Sequence, residues 1–318
     1  MRRVQPRRPN LAAALIAGLA SFAPTRAHAY CRLTTEMPSA GECSNKGKPL
    51  YWARQCLGYS VVPREADVPS LEEIRTVVDV SFATWNEVEC NGARVGIELE
   101  QTIGTAECVE PEYNPDGPNA NSVIFVTDWV ERGLPREAFG LTLVWHQPQT
   151  GEIFDADLQI NDGELGDLAI CKGTPPKCGP NQVDIQNVVT HEAGHYLGLG
   201  HTLDDPLATM AARALLGETS KRTLANDDRE GLCAIYGDNE PSACRPEDFQ
   251  PDNGFAASCY FAEPNGIGCG ACGVVGASRP LARFAFAPVM ITLALAYGRY
   301  RWRRRVTASS STPSPTNR

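Results

Sequence analysis

Residues 191–210 read HEAGHYLGLGHTLDDPLATM, and three of the chain's five histidines fall in the first eleven positions, beside a glutamate. On a helix, positions four apart share a face, so His191 and His195 can present two imidazole nitrogens to one metal ion. Glu192, one step round from His191, leans towards the same space. Gly198 stands three residues past the second histidine, where a glycine lets a helix end and the backbone turn sharply. His201 can then swing back as a third ligand. Three neutral imidazoles with an open fourth position suit a catalytic zinc rather than a closed structural one. In such a site zinc lowers the pKa of its water towards neutrality and polarises a carbonyl, while Glu192 takes the proton and later passes it to a leaving amine.

The two ends of the chain differ from the middle. Residues 1–29 begin with Arg2, Arg3, Arg7 and Arg8, continue through an apolar run and end in Ala27-His28-Ala29. That order is expected of a secretory signal peptide cleaved before Tyr30, which leaves His146 as the one histidine of the mature chain outside the cluster. Near the other end, the apolar run FAFAPVMITLALAYG (284–298) is followed by RYRWRRR and a Ser/Thr/Pro tail. The run is short for a bilayer span, which takes about 20 residues, yet five arginines in the next seven positions argue against burial in a core. It is expected to be an anchoring or sorting helix held by its arginines on the cytoplasmic side.

Outside these ends the balance is acidic. Residues 1–29 and 276–318 carry 13 of the 29 lysines and arginines and no acids, leaving 16 basic against 38 acidic residues between them, a net charge of −22. Such a surface repels nucleic acid and anionic lipid. Ten of the twelve cysteines lie from Cys31 to Cys259, and in an exported chain they are expected to pair. Cys171 with Cys178 is the expected local pair; Cys90 with Cys108 and Cys233 with Cys244 fit their spacing, with other connectivities open.

Between the ends, residues 49–62 have the aromatic and β-branched content of a strand. LEEIRTVVDVSFATWNEV (71–88) repeats its apolar positions at helical spacing with acids in its first turn. RVGIELEQTI and NSVIFVTDWV read as strands, and 141–162 as two strands joined by a turn at Pro148 to Gly151. Residues 181–197 form a helix carrying the histidine pair, and 224–237 a third helix stopped by Gly237. The expected organisation is a signal peptide at 1–29, a catalytic domain at 30–237, a disulfide-pinned stalk at 238–268, a Cys motif with hydrophobic helix and arginine cluster at 269–305, and a disordered tail at 306–318.

HEAGHYLGLGH followed by Met210 resembles the zinc motif and methionine turn of the metzincins. Within that group the chain resembles the matrixins, through Thr202 after the third histidine, TGEIFDADLQIN (150–161), NDDREGLCAIYG (226–237) with Asp227 and Asp228, and the Phe82–Trp85 pattern in the first helix. The resemblance covers residues 48–237. It implies an α+β zincin fold, a twisted mixed five-stranded sheet with three helices, in which His191, His195 and His201 bind zinc, Glu192 is the general base and acid, and Met210 packs beneath the metal with Gly198 as support. It also implies that extended peptide substrates pair with an edge strand at Ala156, Asp157 and Leu158. Calcium is admitted at carboxylates such as Asp157 or Asp162. The chain departs from the pattern in several ways: no cysteine-switch motif, no tyrosine two residues past Met210, no Met-Tyr-Pro sequence there, and too few histidines for a structural zinc.

Cys269 and Cys272 (GIGCGACG), the apolar run and the arginine block together resemble the tripartite sorting signals of myxobacterial surface proteins. That resemblance implies a processing protease as a partner and delivery to the cell surface. The expected function is an exported, surface-anchored zinc endopeptidase. Two alternatives stand beside it, a surface-binding module in which proteolysis is incidental and a zinc amidase acting on cell-wall material.

Overall fold

In the first helix, α1 (Leu71–Asn86), a capping box fixes the start: Ser70 Oγ accepts the Glu73 amide, and the Glu73 carboxylate accepts the Ser70 amide, satisfying two donors a helix start would leave unpaired. Ile74, Val77, Val78, Phe82 and Trp85 form the buried face. Each large side chain so buried contributes about 1.5–3 kcal/mol. The computed structural model describes residues 30–260, apart from positions 37–42, 44, 45, 67, 103, 164, 203, 204 and 241, together with the strand at 288–294. The expected signal peptide, Cys269, Cys272, the arginine cluster and the tail lie outside the described residues.

The sheet comprises β1 (Cys56–Val61), β2 (Glu98–Gln101), β3 (Ser122–Val126), β4 (Ala138–His146), β5 (Ile153–Asn161) and β6 (Pro288–Ala294), in the spatial order β6-β4-β5-β3-β1-β2. β1 runs parallel to β2 and β3, and β3 parallel to β5, while β4 is antiparallel to β5. β1 to β5 are the expected mixed five-stranded sheet. With α1, α2 (Ile185–Tyr196) and α3 (Asn226–Tyr236), the architecture is an α+β fold of the metzincin type.

Alternation along the strands sorts the core into two layers. Ala156, Leu158 and Ile160 of β5 face α1 and α2 in the larger cluster, with Phe82, Trp85, Val188 and Val189. Leu141, Leu143 and Trp145 of β4 point the other way and pack with Ile124, Val126 and Trp129.

Two expectations are corrected here. Ala156, Asp157 and Leu158 are not at an edge, because β5 lies between β3 and β4, with Leu158 opposite both Val123 and Thr142. The hairpin at residues 147–152 returns the chain inward, so its first strand, β4, is the outer one; the sequence of a hairpin does not reveal which arm faces out. The apolar run at 284–298, expected as a helix, is described only at 288–294, and there it is a strand. β6 pairs antiparallel with β4, with Val289 opposite Val144 and Ile291 opposite Thr142. Among the described residues no helix is long and apolar enough to cross a membrane.

Five disulfides tie the domain: Cys31–Cys43, Cys56–Cys244, Cys90–Cys233, Cys108–Cys259 and Cys171–Cys178. The local pair is the expected one, whereas Cys90, Cys108, Cys233 and Cys244 take distant partners, since strand order and not chain spacing sets which sulfurs meet. The segment from 238 onward, expected as a stalk, is held against the domain as far as Tyr260. Cys244 anchors it to β1 and Cys259 to the loop before β3; Phe249 is buried, and its carbonyl accepts Thr102 Oγ1. A Cβ on Gly58 of β1 would lie 1.8 Å from that carbonyl oxygen, so only glycine admits so close an approach.

Candidate active site

The site begins with a well-anchored helix. Asp184 caps α2 by accepting the Asn187 amide, and Arg222 holds the same carboxylate at both oxygens. At the other end, Trp52 Nε1 donates to the Tyr196 carbonyl at 2.7 Å and Tyr236 Oη to the Leu197 carbonyl at 2.9 Å, satisfying acceptors that a helix end leaves open. From α1, Trp85 Nε1 donates to the Thr190 carbonyl at 3.0 Å. The helix that carries His191, Glu192 and His195 is thereby fixed at its start, its middle and its end.

Gly198 turns the chain as expected. Its φ is +92°, a region that side-chain-bearing residues rarely adopt, and a Cβ there would lie 2.7 Å from the Leu50 carbonyl oxygen. The next two residues, Leu199 and Gly200, pair with Arg32 and Cys31, which delivers His201 opposite the helix. Its Nε2 lies 3.2 Å from His191 Nε2 and 3.1 Å from His195 Nε2.

The tautomers are set by the backbone. His191 Nδ1 is 2.5 Å from the Thr209 carbonyl and His195 Nδ1 is 2.8 Å from the Leu199 carbonyl. A carbonyl only accepts, so Nδ1 carries the proton in both rings and both Nε2 lone pairs point inward, with His201 Nε2 against them. Burial disfavours protonation of all three, lowering His191 and His195 well below the usual imidazole range and His201 to about 4. Converging lone pairs that burial keeps unprotonated at neutral pH call for a cation. A tetrahedral zinc with Zn–N of about 2.0–2.1 Å separates its nitrogens by about 3.3 Å, close to the two spacings observed. The residues fit zinc.

Met210 lies beneath the helix: a Cβ on Gly194 would be 2.2 Å from its sulfur, so the small residue between the two histidines makes room for the methionine. The turn is held by Asp228, whose carboxylate accepts the Thr209, Met210 and Ala225 amides at 2.7–2.9 Å. It is also held by Lys221, fully buried, whose Nζ donates to the Ala208, Thr209 and Ala211 carbonyls at 2.7–3.3 Å. Burial lowers the Lys221 pKa to about 8. Lys221 and the His191 ring meet at the same Thr209 carbonyl.

Glu192 is fully buried, which pushes its carboxyl up to about 8; the hydrogen bond from Thr142 Oγ1 to Oε2, at 2.7 Å, acts in the opposite sense. A bound dication would lower it further. The expected residues His191, Glu192, His195, His201, Gly198 and Met210 are thus brought together. Ala156, Asp157 and Leu158 are not: Asp157 accepts the amides of Ser122 in β3 and of Glu112 in the loop before it. Asp162 is held by Arg64 at both carboxylate oxygens, so neither carboxylate expected for calcium stands free for it. Sequence reasoning missed Lys221 and Thr142, because neither belongs to the zinc motif and each reaches the site only through the fold.

Fold and site together have the form of a metzincin-type domain. More narrowly, it is matrixin-like: the matrixin family matches residues 128–237, from just after β3 through α3, and that family implies zinc. Among curated proteins, the chain is 35% identical over 198 residues to metalloendoproteinase 5-MMP of Arabidopsis thaliana, covering 61% of this chain and 47% of that one. It is 28% identical over 197 residues to metalloendoproteinase 1-MMP of the same plant, covering 61% and 46%. Against matrix metalloproteinase-16 of Homo sapiens the match is 45% over 65 residues, 20% of this chain and 10% of that one. The chain spans less than half the length of these relatives.

Proposed function

We propose that this protein is an exported zinc endopeptidase that hydrolyses peptide bonds in extended polypeptides. The observation that carries the reading is the convergence of three imidazole Nε2 atoms, two with tautomers fixed by backbone carbonyls, beside a buried glutamate. Zinc held by His191, His195 and His201 would supply Lewis acidity to the scissile carbonyl and the attacking water. Glu192 accepts a proton from that water as its oxygen bonds to the carbonyl carbon, then delivers it to the amine nitrogen as the C–N bond breaks. The buried setting keeps bulk water from competing for the carboxylate. A peptide chain would add along the edge of β4, the outer strand of the five, where β6 sits in this structure. Export is supported by the character of residues 1–29 and by ten paired cysteines, which persist in an oxidising compartment.

The test compares the purified wild type with Glu192→Ala for zinc content and for cleavage of an unfolded protein. One zinc in both, with cleavage about 100-fold or more slower in the variant and abolished by a chelator in the wild type, supports the reading. Zinc without cleavage in the wild type would turn the site into a binding module, and absence of zinc from both would overturn the assignment of the histidines.

A further inference from the structure

The two oxygens of the Glu192 carboxylate have different surroundings, and both differences come from one strand. Oε2 receives the hydroxyl of Thr142 at 2.7 Å. Oε1 is buried and has no hydrogen-bond partner among the described residues. Two positions earlier, on the same face of β4, stands Gly140. A Cβ added there would lie 2.5 Å from Oε1 and 2.9 Å from both Cδ and Cγ of Glu192. No turn explains this glycine. It sits inside a nine-residue strand, paired with Ile160, and its φ is not positive. Glycine weakens a strand interior and often marks a place where another group approaches closely; here that group is the carboxylate.

We infer that Gly140 and Thr142 are positioning residues for Glu192, the hydroxyl of Thr142 holding Oε2 while the missing side chain at Gly140 leaves Oε1 as the oxygen that exchanges the proton with the reacting water. The inference rests on the proteolytic reading above. Its physical basis is the softness of the last torsion of a glutamate, which is broad and roughly two-fold. Left alone, the carboxylate swings. The Thr142 bond removes that freedom, and the strand that supplies it is itself held, since Thr142 is fully buried and pairs with Leu158 of β5. A misplacement of about 1 Å in such a group costs on the order of 100-fold in rate.

The experiment uses the full chain with three variants, Thr142→Val, Thr142→Ser and Gly140→Ala, each assayed for zinc content, melting temperature and the separate constants kcat and KM on an unfolded protein substrate. Thr142→Val keeps the shape and removes the donor. It should lower kcat by about 10- to 100-fold while zinc content and KM stay near wild type, and Thr142→Ser should restore most of the loss. Gly140→Ala should also act on kcat. In a Glu192→Gln background, Thr142→Val should have no further effect on the residual rate, because contacting residues that act as a unit are not additive. Crystal structures of the metal-free wild type and Thr142→Val give a readout independent of turnover, and the carboxylate should rotate only in the variant. An unchanged carboxylate, or a kcat equal to wild type, overturns the inference. If the wild type binds zinc but cleaves nothing, the proteolytic reading fails, while the carboxylate position in Thr142→Val still decides this one.

Discussion

At the scale of single residues, the groups around a side chain decide its chemistry more than residue type does. His146 and the three clustered histidines are the same side chain, yet the cluster turns its lone pairs to a common point whereas His146 ends β4 with its ring buried away from that point. Burial lowers the His146 pKa below the ordinary 6.5. An unfolded chain therefore takes up a proton below about pH 6.5 that the folded chain refuses, and by linkage the contribution of His146 to stability is lost as pH falls through that region. Asp155 and Asp157, raised by burial, act in the opposite sense, binding protons in the folded state and adding stability as pH falls. A difference measurement isolates the imidazole. Urea midpoints of wild type and His146→Phe at pH 7.5 and pH 5 should show the wild type losing more on acidification; equal losses would mean His146 does not titrate differently on folding.

At the scale of elements, the loop from Leu197 to Met210 is built around one backbone conformation. Gly198 adopts φ +92°, the Leu33 amide donates to its carbonyl, and the Thr202 amide donates to the Met210 carbonyl at 2.9 Å. His201 is therefore aimed by the turn before it and by the methionine turn after it. Gly198→Ala combines an unfavourable φ with a contact to the Leu50 carbonyl, a strain of about 1–3 kcal/mol. It should lower the urea midpoint and, because relief of the strain displaces His201, speed the release of zinc to a chromogenic chelator. A variant that loses stability but keeps the wild-type zinc release rate would show that the turn does not aim the ligand.

For the whole molecule, the telling contact is that of β6 with β4. An edge strand presents unpaired backbone groups that will take another strand, and residues 288–294 take that place, with Ile291 opposite Thr142. A peptide adding along the same edge, as proposed above, would compete with them. A chain ending at residue 262 should therefore cleave an unfolded protein with a lower KM and an unchanged kcat relative to the full chain, as steady-state kinetics would show; equal KM values would place the substrate elsewhere. The disulfides carry the same lesson about distance. Cys56–Cys244, Cys90–Cys233 and Cys108–Cys259 each close more than 140 residues of chain, and cross-links over such loops stabilise most by restricting the unfolded chain.

What the sequence determined by itself was local. The three converging histidines, the buried glutamate and the glycine that turns the chain lie within eleven residues, where helical periodicity and one backbone conformation are enough to infer geometry. The three helices were legible for the same reason, since an apolar repeat and a cap are short-range signals. Only the tertiary structure decided which arm of the 138–161 hairpin is the outer strand, which distant cysteines meet, that residues 238–260 lie against the domain, and that Thr142, Gly140 and Lys221 reach the site. Those features depend on strand order, and strand order follows from the packing of two faces of a sheet at once, which no single segment of the chain encodes.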